Sequence, residues 1–381
     1  MTSKRCEYFG ESVIRDMTRL ALRHDAVNLA QGFPDFPAPE ELKKAACEAI
    51  IADHNQYAIT WGARELREAI ANKSAQFNGI QVDPEKEVTV TCGTTEAMMA
   101  SMLAVIDSGD EVIIFEPFYE NYGPDAAVSG AVPKFVPLEG DDFTFDHDDL
   151  AAAFNHRTKA LVLNTPNNPT GKVFGKEELS IIADLAFDHD ITVITDEIYE
   201  HIIYDGAQHT SIASMGDMDQ RTITIGGFSK TYSVTGWRVG YALAPSHLTG
   251  ALRKVHDFLT VGAPAPLQHA CVAALNLPPM YYEELVSMYD KKRHMLYNAL
   301  QNNGFKCTLP QGAYYILADI SGFDLGDDVS FAHYLASEIG VAAVPGSSFY
   351  KVAEMGSSTV RFTFSKSDST LQEAVIRLEN L

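Results

Sequence analysis

Between Val88 and Leu243 the chain alternates short apolar runs with longer stretches in which apolar residues recur at helical spacing. The runs are Val88–Cys92, Glu111–Phe115, Pro133–Val136, Ala160–Asn164, Thr192–Asp196, Thr222–Ile225 and Val239–Leu243. Helical patterns such as Thr95–Ile106 and Lys176–His189 separate most of them. Near-continuous apolar strands alternating with helices predict a mainly parallel sheet covered on both faces. The last run follows its predecessor with no crossover helix between them, so it is predicted to run antiparallel. Met98, Met99 and Met102 lie in the first of these helices and read as core filler.

The flanks have a different texture. Residues 11–25 predict an amphipathic helix with Ile14, Met17, Leu20 and Ala21 on one face, and a glycine-broken loop over 28–35 leads to a helix at Glu40–Ile51. Beyond Leu277 the pattern is α+β: a long helix at Tyr281–Asn302, a strand near Ala313–Asp319 and a helix near Ser330–Glu338. Strands at Val341–Val344 and Val360–Phe364 and a closing helix at Ser367–Leu378 complete it. The predicted fold class is α/β. A three-layer α/β/α domain over 46–278 holds a mostly parallel seven-stranded sheet, and 1–45 with 279–381 forms a smaller α+β domain. A cleft between the two is where a small-molecule site is expected.

Composition narrows the function. The chain has 381 residues, ample for two domains, and no window approaches the run of about 20 apolar residues that spans a membrane. Its formal net charge of −22, from 51 acidic and 29 basic side chains, repels nucleic acid and anionic membranes. The N-terminus lacks the apolar core of a secretory signal. Five scattered cysteines without a CxxC argue against disulfide or zinc frameworks, so a reduced, cytoplasmic protein is expected. Histidines 189, 201, 209 and 256 show neither metal spacing nor a nucleophile partner and read as structural or solvated.

Candidate chemistry gathers at strand ends. In Thr222–Tyr241, TITIGGFSKTYSVTGWRVGY, a strand breaks at Gly226-Gly227 and then presents Ser229, Lys230 and Arg238. A lysine at a sheet's carboxyl edge can be desolvated into a nucleophilic amine, while serine and arginine suit a phosphate. An amine for an aldehyde beside a phosphate site suggests pyridoxal phosphate. Asp196 ends another strand, with Tyr199 three residues on. A carboxylate against a pyridine nitrogen keeps it protonated, although Asp196 also suits a helix cap. Asn168, in TPNNPTG, offers an amide donor or an Asx-turn, and Gly93-Thr94-Thr95 opens a helix whose N-terminus suits an anion. Tyr119 or its neighbour Phe118 offers an aromatic face. Arg361, between Val360 and Phe362, faces away from both, either toward the cleft and a substrate carboxylate or into a salt bridge.

Taken in order, NLAQGFPDF, NQYAITWGARELREAI, EPFYENYGPD, LNTPNNPTGKVF, TDEIYEHIIYDG, FSKTYSVTGWRVGY, PQGAYYILADIS and VRFTFSK resemble the class I/II aminotransferases of the aspartate-aminotransferase fold. Several are closest to the glutamine-transaminase K/kynurenine-aminotransferase branch. The resemblance spans nearly the whole chain. It implies pyridoxal 5'-phosphate as cofactor, Lys230 as Schiff-base lysine and proton shuttle, and Asp196 on the pyridine nitrogen. It places Asn168 and Tyr199 on the ring oxygen and Tyr119 against the ring. Thr94, Thr95, Ser229 and Arg238 would cradle the phosphate. Gly32, Asn168 and Arg361 would bind the substrate's carboxylate. Tyr57 would reach the phosphate in a neighbouring subunit, so a homodimer with shared sites is implied.

Three departures bear on the substrate. Gly227 stands where many members carry a donor side chain. Val261 and Gly262 replace an aromatic residue and a histidine, and Ile14 replaces a tryptophan of the kynurenine branch. Stacking surface is lost, and no basic residue is evident for a distal carboxylate. The expectation is transamination of a broad range of neutral L-amino acids with 2-oxo acids, with cysteine-conjugate β-elimination and a non-catalytic regulatory role as alternatives.

Overall fold

In the computed structural model, which describes residues 3–381, the seven apolar runs form one sheet. The spatial order is Val88–Thr91, Gly240–Leu243, Thr222–Gly227, Thr192–Asp196, Thr158–Asn164, Glu111–Glu116 and Val132–Pro137. Gly240–Leu243 pairs antiparallel with both of its neighbours, and the remaining pairs are parallel. Both faces are covered, as the period of two along a strand requires. Val112 and Ile114 pack into one core with Met98, Met102 and Leu252 from overlying helices. Ile113 and Phe115 turn to the other face and meet Leu179 and Ile182.

A second, antiparallel sheet is built from the C-terminal part of the chain, in the order Val344–Pro345, Thr359–Thr363, Tyr315–Asp319 and Lys306–Cys307. The helix Val13–His24 packs against it through Ile14, Met17, Leu20 and Ala21, the face its sequence pattern marks. The Ser12 side chain caps that helix by accepting from the Arg15 amide at 3.3 Å. This core also takes in Ile198, Tyr199, Ile202 and Tyr204, which follow the large-sheet strand Thr192–Asp196. The Tyr204 amide donates to Gln311 O at 2.9 Å and the Ala313 amide to Ile202 O at 2.9 Å. The segment carrying Asp196 and Tyr199 is therefore gripped from both sheets.

Some boundaries differ from expectation. Val341–Val344 is not one strand: Val341–Ala342 pairs in parallel with Val27–Asn28, while Val344–Pro345 joins the antiparallel sheet. The helix expected at Ser330–Glu338 runs Asp328–Tyr334 and loosens into a wider turn over Leu335–Ile339, ending at Gly340 with φ 81°. Glu40–Ile51 is a single helix across the expected 45/46 boundary, and its Leu42 packs in the same core as Cys271 and Ala274 of Ala265–Leu275. A boundary ahead of Glu40 keeps that helix whole. The chain has no helix long and apolar enough to cross a membrane among the described residues.

Candidate active site

The carboxyl ends of the central strands and the start of the chain enclose one cavity of about 450 Å³. Its wall includes Lys230 and Ser229 after one strand, and Asp196 and Tyr199 after the next. Asn168, Tyr119, Thr94 and Thr95 add to it from further strand ends, with Arg238 beside them. Gly32 and Arg361 close it from the other side. Tyr57 is not part of it: 88% exposed, it lines a separate depression with Cys92, Val261 and Gly262. The strand-end ambiguity between Phe118 and Tyr119 is resolved by packing. Phe118 is buried against Phe135 at 5.2 Å between ring centroids, which leaves Tyr119 to the cavity.

Lys230 Nζ donates to Gly32 O at 3.1 Å and lies 5.9 and 5.8 Å from the ring centroids of Tyr199 and Tyr314. Burial, reinforced by the Arg361 charge and opposed by Asp196, lowers its pKa to about 8. At neutral pH roughly a tenth of an amine with that pKa is uncharged, the form a nucleophile requires. The Asp196 carboxylate accepts from Tyr122 Oη at 2.9 Å and from the Ile198 amide at 3.2 Å. Burial nonetheless raises its pKa to about 6, so a cationic partner in the cavity would meet a carboxylate held against its own desolvation cost. Tyr199 Oη and Tyr315 Oη lie 3.0 Å apart, and burial pushes the Tyr199 phenol well up.

The end of the cavity near Thr94 is built for an anion. Gly93, at φ 80°, precedes the helix Thr94–Val105 and leaves the helix's first amides to the cavity mouth. A Cβ on Gly93 would lie 2.4 Å from Arg238 Nη2, so only glycine lets that guanidinium approach. Arg238 itself adopts φ 53° and donates to Thr235 O at 3.1 Å. Gly227, where the resemblance expects a donor side chain, has a physical reason: its Cβ would meet Ile198 Cδ1 and Thr94 Cγ2 at 3.0 Å.

Arg361 is fully buried, with its guanidinium 4.3 Å from the Tyr315 ring centroid and 5.0 Å from that of Phe349. It donates to Asn168 Oδ1 at 2.8 Å and to Ala30 O at 2.7 Å. Its Nε has no partner among the described residues. A buried cation with an unanswered donor suits a carboxylate ligand. Pyridoxal phosphate fits these residues: a lone desolvated amine, a buried carboxylate, a glycine-opened anion cradle and an aromatic wall share one cavity.

The profile of the family described as "Aminotransferase class I and II" matches residues 24–378. The chain belongs to the class I and II aminotransferases. It is 38% identical to the methionine aminotransferase of Escherichia coli (strain K12), over 98% of this chain and 96% of that one. It is 37% identical to the kynurenine–oxoglutarate transaminase of Dictyostelium discoideum, over 98% and 94% respectively. Among solved structures, the N-succinyldiaminopimelate aminotransferase of Mycobacterium tuberculosis superposes with a TM-score of 0.97 at 39% identity, covering both chains completely. The aspartate-aminotransferase fold, pyridoxal-phosphate dependence and transaminase activity expected from the sequence are therefore features of this chain.

Several cavity residues escaped the sequence reading. Tyr122 lies three residues after Tyr119 within EPFYENYGPD, so a helical turn from the quoted tyrosine could have flagged it. Asn164 donates to Asp196 O at 2.9 Å and accepts from the Asn168 amide at 2.8 Å, joining two strand ends. Ser12, Arg15, Gln31 and Glu120 also line the cavity, and no spacing rule connects them. Arg15 supplies a basic residue near the mouth that the sequence reading did not place.

Behind Asp196 and Tyr199 lies a buried charge network. Glu197 accepts from Ser211 Oγ at 2.8 Å and lies 2.8 Å from His209 Nε2. Glu200 pairs with Lys73 and accepts from Asn78 Nδ2 at 2.8 Å. Burial raises the Glu200 pKa, but Lys73, the neighbouring histidines and Asn78 outweigh it and bring it down to about 2. Glu197 and Glu200 hold the reverse side of the segment whose front side carries Asp196 and Tyr199. Histidines 201 and 209 are structural in this sense. His256, fully buried between Glu96 and Thr60 O, is likewise part of a hydrogen-bonded frame.

Proposed function

We propose that this aminotransferase exchanges amino groups between neutral L-amino acids and 2-oxo acids, with Lys230 as the proton carrier. Pyridoxal phosphate, when bound, supplies an aldehyde for the substrate's amine and a ring that accepts electron density from its α-carbon. Lys230 Nζ would hold the cofactor and, once displaced by the substrate's amine, would serve as the base that takes the α-proton and the acid that returns it. Asp196 would face the ring nitrogen as its counter-charge, and Tyr199 and Asn168 would hold the ring oxygen. Tyr119 backs the ring. Thr94, Thr95, Ser229 and Arg238 bind the phosphate. Arg361, with Gly32 and Asn168, receives the substrate carboxylate.

The observation that carries this reading is the enclosure of one amine, with a pKa near 8, between Asp196 and Arg361. Neutral substrates are supported by the outer wall, where the Glu120 carboxylate, bonded by Ser12 Oγ, shares the cavity with Arg15. A distal carboxylate gains from one of these charges and is repelled by the other. Ile14 adds apolar surface beside them.

A homodimer is supported by large apolar side chains left exposed: Tyr57 is 88% exposed, Phe258 91% and Ile51 81%. Tyr57 in this arrangement serves the phosphate of the neighbouring subunit. Residues 40–278 act as the cofactor domain and 1–39 with 279–381 as the smaller one, because Glu40–Ile51 is one helix packed within the former. Free, scattered cysteines support a cytoplasmic setting.

The test is a panel of amino acids mixed with the cofactor-loaded enzyme under single-turnover conditions, following cofactor absorbance. Methionine, glutamine and leucine should convert the cofactor faster than aspartate or glutamate. Lys230→Ala should lose the absorbance of the lysine-attached cofactor and nearly all turnover. Faster conversion by aspartate than by any neutral amino acid would overturn the substrate assignment. Parental turnover by Lys230→Ala would overturn the mechanism. Equal pyruvate release from a cysteine conjugate with and without a 2-oxo acid would point to β-elimination instead.

A further inference from the structure

Five successive carbonyls, Leu29 to Phe33, each accept a hydrogen bond from outside their own loop. Leu29 O takes the Thr363 amide at 2.8 Å, and Ala30 O takes Arg361 Nη2 at 2.7 Å. Gln31 O and Phe33 O both take Lys366 Nζ, at 3.1 and 3.0 Å. Gly32 O, between them, takes Lys230 Nζ at 3.1 Å and Tyr314 Oη at 3.0 Å. The two carbonyls that flank Gly32 are thus pinned by one ammonium, while Gly32's own faces the cavity.

Lys366 is 3% exposed and its Nζ lies 4.0 Å from the Phe33 ring centroid. A buried ammonium is costly and persists only where its acceptors are well placed. Burial lowers its pKa to about 8, and Asp35 counters by holding the charged form. Asp35 also ties the far end of the loop, accepting from the Ser367 amide and from Thr370 Oγ1 at 2.6 Å. A loop needing only anchorage could be held by apolar packing. This one is held by charge, and at the peptides on either side of Gly32.

We propose that Lys366 is a positioning residue for substrate binding: by fixing the Gln31 and Phe33 carbonyls it orients Gly32 and Phe33 over the carboxylate end of the cavity. Lys366 itself does not line the cavity. The inference rests on Arg361 and Gly32 as the carboxylate-binding end, and its signature is a larger change in KM than in kcat, because Lys230 follows its own strand and meets this loop only through Gly32 O. Lys366→Arg keeps the charge and the donors, whereas Lys366→Met removes both.

The experiment compares Lys366→Met, Lys366→Arg and Asp35→Asn with the parent as cofactor-loaded enzymes. It measures KM and kcat for methionine, the inhibition constant of propionate (a carboxylate without an amine) and the Tm. Loss of a charge-assisted pair of hydrogen bonds at the loop predicts KM and the propionate constant about tenfold higher in Lys366→Met, with kcat within about twofold. Lys366→Arg should recover most of the loss, and Asp35→Asn, at an exposed position, should raise both constants about threefold even if Lys366→Met does not fold. A lower Tm with unchanged KM and propionate constant in these variants would reduce Lys366 to a structural anchor and overturn the proposal. So would a fall in kcat alone. Arg361→Ala separates the two levels. If propionate binds it as tightly as the parent, the carboxylate assignment fails, whereas a normal Lys366→Met beside a defective Arg361→Ala sinks the positioning role alone.

Discussion

Replacing Arg361 by lysine keeps the charge at the carboxylate end and removes its shape. The guanidinium donates from separate nitrogens, Nη1 to Asn168 Oδ1 at 2.8 Å and Nη2 to Ala30 O at 2.7 Å, and its Nε has no partner among the described residues. It also packs its plane between Tyr315 and Phe349. Losing one charge-assisted hydrogen bond costs about 2 kcal/mol, and loss of aromatic stacking adds about 1. Together these give about 3 kcal/mol, or roughly a hundredfold in kcat/KM. Most of it should fall on KM, because the contact is made before and during the proton transfer. Since the charge remains, Lys230 should keep its lowered pKa in Arg361→Lys but regain part of it in Arg361→Met, Arg361 being the second cause of the shift after burial. The assay is a single-turnover half-reaction with methionine, run from pH 6 to 10. An Arg361→Lys enzyme with KM within about twofold of the parent would refute the bidentate reading.

In the cofactor-free enzyme, the rate at which pyridoxal phosphate attaches to Lys230 should rise with pH through a midpoint near 8, not near the ordinary 10.5, because attachment needs the neutral amine. Gly93→Ala should weaken cofactor binding by at least about tenfold, read by equilibrium dialysis, because its Cβ would displace Arg238 Nη2 from 2.4 Å at a positive φ. Glu200 has a folded-state pKa below its ordinary 4.5, so its stabilising contribution is complete above that value and disappears as pH falls toward 2. Glu200→Gln should therefore flatten the loss of Tm between pH 5 and 3. Lys73→Met, which strands the Glu200 carboxylate, should cost about 3 kcal/mol of stability with little change in KM. A Lys73→Met enzyme as stable as the parent would show that the pair does not hold the segment.

Local sequence determined a good deal here. The seven apolar runs became the seven strands because strands buried on both faces must be apolar almost throughout, and that signature is local. The antiparallel run was legible too: residues 226–238, broken by Gly226, Gly227 and Gly236, carry no helical pattern that could serve as a crossover. Lys230, Asp196, Asn168 and Thr95 could be picked out because strand ends in such sheets converge on one edge. Tertiary structure alone decided what those ends meet. Tyr122 reaching Asp196, Tyr315 reaching Tyr199, and Lys366 pinning the loop at Gly32 join residues 74, 116 and more than 330 positions apart. Propensity and periodicity act over a turn or two and carry no record of such pairings. The pKa of Lys230 is likewise a property of enclosure, because the energy of a charge depends on everything packed around it and not on its neighbours in the chain.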